Sequence, residues 1–168
     1  MTHRVRVYPH NDLFNLAHYQ RGVINQKVSD GNNDALSLDC MSSLIALAFS
    51  IEAPVNFVGH KRVTDWEERQ PYREKMDQVC NVASLNFDTD VEPFRTLWEL
   101  KELRDSIAHG QPVEVNTTAH TREELHASME CPWDQHLNPT YVNNAYEQAK
   151  QFERMLFSNC GITVGETV

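Results

Sequence analysis

The sequence predicts an all-α protein, an up-and-down bundle of four to five helices that uses residues 1–168 as one domain. Three observations point there. Apolar residues recur at three- and four-residue steps in successive segments. Turn formers gather between those segments, most densely at Ser29-Asp30-Gly31-Asn32-Asn33-Asp34. Period-two alternation is confined to Thr2–Tyr8, where Arg4 and Arg6 alternate with Val5 and Val7, a short strand or a loose arm.

The first helix is expected from a cap at Asn11 or Asp12 to about Val28, with Phe14, Leu16, Ala17, Val23, Ile24 and Val28 as its stripe. The second, from about Ala35 to Phe57, is apolar nearly all round in its middle. Such a helix is central and contacted on several sides. Pro54 should kink it, because proline removes the bond to the Ser50 carbonyl. His60–Gln70 reads as a charged connection. Pro71 then opens a helix to about Leu85 with Met76, Val79 and Ala83 inward, and 86–90 is a polar loop.

The fourth helix spans 91–110. Pro93 suits its first turn and Gly110 the position past its end, and Phe94, Leu97, Leu100, Leu103 and Ile107 make one face. Residues 112–116 are extended at most. Thr121-Arg122-Glu123-Glu124 has capping-box spacing and starts a short helix to Met129. Asn138 and Pro139 open the last helix, striped by Tyr141, Ala145, Ala149, Phe152 and Leu156 to about Ser158.

Composition narrows the function classes. Apolar residues make up 40% and Gly plus Pro only 13 of 168 residues, so the chain should fold. Cys40, Cys80, Cys131 and Cys160 form no C-x-x-C pair and read as reduced thiols of a cytoplasmic protein. No signal peptide is visible. The longest apolar stretch, 40–51, is too short to span a membrane, so no membrane partner is expected. A net charge of −9 argues against broad nucleic-acid binding but leaves room for a small basic cleft. Residues 1–28 carry +3 against −12 for the rest. Arg4, Arg6, Arg21 and Lys27 are therefore either a solvated basic face or phosphate contacts.

Other chemistries lack their signatures. His120, His126, Cys131 and His136 crowd one region, but their spacing matches no common zinc template; surface histidines are expected, with no metal and no cofactor. The three tryptophans lack the spacing of a stacking platform. No phosphate-binding glycine loop, nucleophile elbow or His-Glu-x-x-His motif occurs.

The last turn of the fourth helix holds Arg104, Asp105 and His109. Asp105 and His109 are four apart and share a face. Arg104 and His109 lie roughly 140° apart around an ideal helix and about 7.5 Å along it, so one helix splays them. Glu52, in an apolar helix, either sits on an exposed strip, pairs elsewhere for structure, or is buried against Arg104. His109 can equally be a cation capping a helix C-terminus, with Arg104 tied to Glu52 or Glu99 as a structural pair.

Arg-Asp-x-x-x-His closing a helix, followed by Gly-Gln-Pro, resembles the R-x(4–6)-H signature of the HEPN superfamily, in which a polar residue commonly follows the arginine. Ser50-Ile51-Glu52-Ala53-x-Val55-Asn56 is similar to the second helix of many such domains, so the resemblance covers roughly residues 35–110. Pro54 departs from that pattern. The resemblance implies a HEPN-like bundle and a homodimer whose subunits share one cleft. It further implies a metal-independent endoribonuclease, a toxin or defence effector with an antitoxin or other partner protein. His109 would be base or acid, Arg104 would grip the phosphate, and Asp105 would hold the imidazole. Arg4, Arg6, Arg21 and Glu52 are the candidate substrate-binding residues. The alternative is a non-catalytic dimeric module that binds a partner, nucleotide or RNA.

Overall fold

A computed structural model describes residues 9–110, 114, 116–129 and 131–163, with the side chains of Pro9, His10, His126 and Ala127 excepted. Arg4, Arg6 and the proposed Thr2–Tyr8 strand or arm lie outside the described residues, as does most of 112–116. The described residues are all-helical, without strand. The helices are α1 (Pro9–Ser29), α2 (Leu36–Arg62), α3 (Tyr72–Val82), α4 (Phe94–His109), α5 (Arg122–Ala127) and α6 (Pro139–Asn159). One 3₁₀ turn, Asp134–His136, precedes α6.

Helix α2 is the hub, packing against α1, α3, α4 and α6, and most extensively along α1. Its interior face is Cys40, Leu44, Leu47, Ile51, Val55 and Val58, all essentially inaccessible. The helix runs on through Pro54 and ends at Arg62, not Phe57. Two features favour the extension: Val58 and Gly59 are buried, and the Trp66 ring lies directly against the Gly59 backbone. The proline removes one amide donor. The Ser50 hydroxyl donates to the Leu47 carbonyl at 2.7 Å.

By length and composition, the full 27 residues of α2 could cross a bilayer, unlike the 12-residue stretch read from the sequence. However, 56% of the apolar window is buried against the other helices, which marks it as the core helix of the bundle.

The remaining elements follow their local chemistry. In α1 the buried face is Phe14, Ala17 and Ile24, while Leu16 and Val28 of the expected stripe are about half exposed. Leu16 is two residues from Phe14 and so faces nearly the opposite way. In α4, Phe94, Leu97, Leu100 and Leu103 are buried, and Gly110 ends the helix in the left-handed region at φ 36°. The capping box of α5 is formed, with the Glu124 amide donating to Thr121 Oγ1 and the Thr121 amide to Glu124 Oε2. Helix α6 is capped by Asn138, whose Oδ1 accepts from the Tyr141 amide at 2.9 Å.

Candidate functional site

The end of α4 lies against the middle of α2, because Leu100 and Leu103 bury on the core side of α4 and turn Arg104 towards α2. There Arg104 Nη1 donates to Glu52 Oε2 at 2.6 Å. The other oxygen of Glu52 accepts from Lys75 Nζ of α3 at 2.9 Å. One carboxylate therefore binds two cations from two other helices. Its pKa is the net of opposing effects: burial pushes it up, and the bonds from Lys75 and Arg104 more than offset that, holding it below its ordinary value.

The rest of the guanidinium is also engaged. Arg104 Nε and Nη2 both donate to Asp105 Oδ1, at 3.0 and 2.8 Å. Lys101, one turn back, reaches Asp105 Oδ2 at 3.1 Å. Burial raises the Asp105 carboxyl, but the bonds from Arg104 and Lys101 win and depress it. Three cations thus face two carboxylates, a local charge of +1 in a chain of −9. The sequence allows Asp105 to reach either of its neighbours one turn away, Lys101 or His109. Among the described residues, Asp105 bonds Arg104 and Lys101.

His109 is exposed on the last turn of α4, and its imidazole makes no hydrogen bond or ion pair to a described residue. The other candidates divide. Glu52 joins Arg104 directly. Arg21 does not: its donors go to Asn143 Oδ1 and Glu147 Oε1 of α6, and its guanidinium stacks on Tyr146 at 4.5 Å. It is a tie between α1 and α6. Lys27 is similarly spent on Asp39 and the Asp34 carbonyl. Glu99, weighed as a partner for Arg104, instead accepts from the Tyr141 hydroxyl at 2.8 Å.

Lys75 was missed in the sequence. It is 4% exposed, although it lies in a charged run, Arg73-Glu74-Lys75. Its signal was position: it precedes Met76 and lies four residues before Val79, on the margin of the inward face.

Beside this cluster, the half-exposed ring of Phe49 lies 5.5 Å under the Arg104 guanidinium. Phe49 also ends a groove of about 450 Å³ between α1 and α2, lined by Leu13, Leu16, Leu38, Met41 and Ile45 among others. The exposed apolar surface therefore borders the charged site.

Other chemistries find little support. No group of three or more His, Cys, Asp or Glu side chains poised for a metal occurs among the described residues. All four cysteines are free. Burial pushes three of the thiols up, Cys40 to about 11, Cys80 to about 12 and Cys160 in the same direction, the reverse of a reactive thiolate. Compared with family models, with curated proteins and with solved structures, the chain matches none.

Proposed function

We propose that the chain acts as a HEPN-like, metal-independent endoribonuclease, with Arg104 and His109 meeting their counterparts in the cleft of a homodimer. The observation that carries this reading is the contrast at the end of α4. The guanidinium is fixed in place by Glu52, whereas the imidazole is exposed and unbonded among the described residues. A fixed cation and an available acid–base group are what phosphoryl transfer without a metal needs. Arg104 would stabilise charge on the phosphate, and His109 would take or give a proton near neutral pH.

Helix geometry separates the two groups within one chain, so the second subunit completes the site. The apolar groove beside Phe49 offers a place for that second copy to pack, next to Arg104. In a cell, such a nuclease would act in the cytoplasm as a toxin or defence effector, restrained by an antitoxin or other partner.

A non-catalytic dimeric module is the second reading, and one observation favours it: Nε, Nη1 and Nη2 of Arg104 all point to internal carboxylates. The two are separated by cutting of single-stranded RNA in EDTA. The nuclease reading expects cleavage that His109→Ala abolishes at unchanged melting temperature. Full-rate cleavage in His109→Ala, or none in the wild type, would refute it.

A further inference from the structure

We propose that Asp105 is a stand-in for substrate phosphate: it occupies the two-donor edge of Arg104, and a phosphodiester of single-stranded RNA displaces it. The proposal rests on the nuclease reading of the α4 end and adds a regulation to it.

The two bonds to Arg104 differ in kind. Glu52 takes Nη1 end-on and belongs to another helix, 52 positions away, with Lys75 as a second anchor. That contact sets where the guanidinium sits. Asp105 takes Nε and Nη2 together, the parallel pair of donors that suits a phosphate. It does so with a single oxygen, Oδ1, so the fork is met less well than two separate oxygens would meet it. Adjacent residues on a helix point about 100° apart, so helix geometry alone does not bring this pair together.

Asp105 also has somewhere to go. Its second oxygen already pairs with Lys101, on the same face one turn back, and about a third of its side chain meets solvent. When a phosphate takes the Nε/Nη2 edge, Asp105 keeps Lys101 and loses only Arg104. The cluster then holds three cations against two carboxylates and the incoming anion, which balances its charge. Glu52 stays in place throughout.

The consequence is that Asp105 competes with RNA. Removing its charge should tighten binding, whereas removing a residue that merely builds the site would weaken it. The test uses fluorescence anisotropy of a short fluorescein-labelled oligouridylate, with every protein carrying His109→Ala so that binding is read without cutting. Asp105→Asn, and Asp105→Ala as a second variant, should lower Kd about tenfold. Adding Arg104→Lys, which keeps the charge but not the fork, should erase the gain. Glu67→Gln, at an exposed site on the connection after α2, controls for net charge and should leave Kd nearly unchanged.

An unchanged or weaker Kd in both Asp105 variants would overturn the proposal. So would an equal gain in Glu67→Gln, or a gain that survives Arg104→Lys. Failure of the parent reading is separately visible. Absent cleavage with a tighter Asp105→Asn would end the nuclease and keep the displacement; cleavage with no change in Kd would do the reverse.

Discussion

Glu52 and Arg104 stand 52 positions apart and meet through Oε2 and Nη1 at 2.6 Å, joining the middle of α2 to the end of α4. Lys75 adds α3 to the same carboxylate, so three helices converge on one side chain. Lys75 and Arg104 are both well shielded, with side chains 5% and 15% exposed. Glu52→Ala leaves two such cations without their counter-charge. We expect a loss of about 2–4 kcal/mol, with Glu52→Gln milder because it can still accept hydrogen bonds. Chemical denaturation of the variants measures it. A loss near the ~0.5 kcal/mol of an exposed ion pair would contradict the burial of this network.

The same network gives the fold an acid sensitivity of known sign. Glu52 and Asp105 both titrate below their ordinary values in the folded chain, their cation partners outweighing burial. The folded state therefore binds fewer protons than the unfolded chain as the pH drops towards those values. The stabilisation is fully present above the unfolded carboxylate range, about pH 4–5, and fades as pH falls through the depressed folded values. Urea midpoints across the acid range should fall more steeply in the wild type than in Glu52→Gln. Parallel curves would assign the acid loss to other groups.

Gly59 is held to glycine by a ring. A Cβ there would sit 2.3 Å from Trp66 Cδ2 and Cε2, closer than any carbon contact allows. Gly59→Ala must push Trp66 off the end of α2, at a cost of about 1–3 kcal/mol. In a double-mutant cycle, Trp66→Ala should absorb most of that cost. Simple additivity of the two changes would show that the ring is not what excludes the methyl.

At the start of α6, the Asn138 side chain caps the Tyr141 amide. Asn138→Ala should cost about 1 kcal/mol, which in a domain of this size lowers the melting temperature by about 2–4 °C. Asn138→Asp should hold the wild-type value, since a carboxylate accepts the same bond.

Much of the bundle was legible in the sequence, because capping residues and apolar periodicity are local signals. Asn138 and Thr121 cap as their spacing indicates, and Gly110 closes α4. The end of α2 was not legible. Trp66 folds back on Gly59 from seven residues downstream, and no pattern inside the helix announces that contact. The site divides the same way. Arg104 and His109 could be picked out by their position at a helix end. The partners of Arg104 could not be settled from spacing: Glu52 reaches it through tertiary packing, with Lys75 on the other oxygen of the same carboxylate, and Asp105, which has Lys101 and His109 at equal helical spacing, bonds Arg104 and Lys101. Arg21 looked like a free cation until α6 supplied Asn143 and Glu147.

The central claim is that two subunits pool Arg104 and His109 in one reachable cleft. Its most direct measurement is complementation between inert partners. Arg104→Lys and His109→Ala are purified separately, then mixed under conditions that exchange subunits, and assayed on single-stranded RNA in EDTA. Each alone should be inactive, and the mixture should regain cleavage, because only a mixed dimer joins an intact Arg104 of one chain to an intact His109 of the other. A mixture that stays inert, while subunit exchange is demonstrated and the wild type cuts, would contradict the shared cleft.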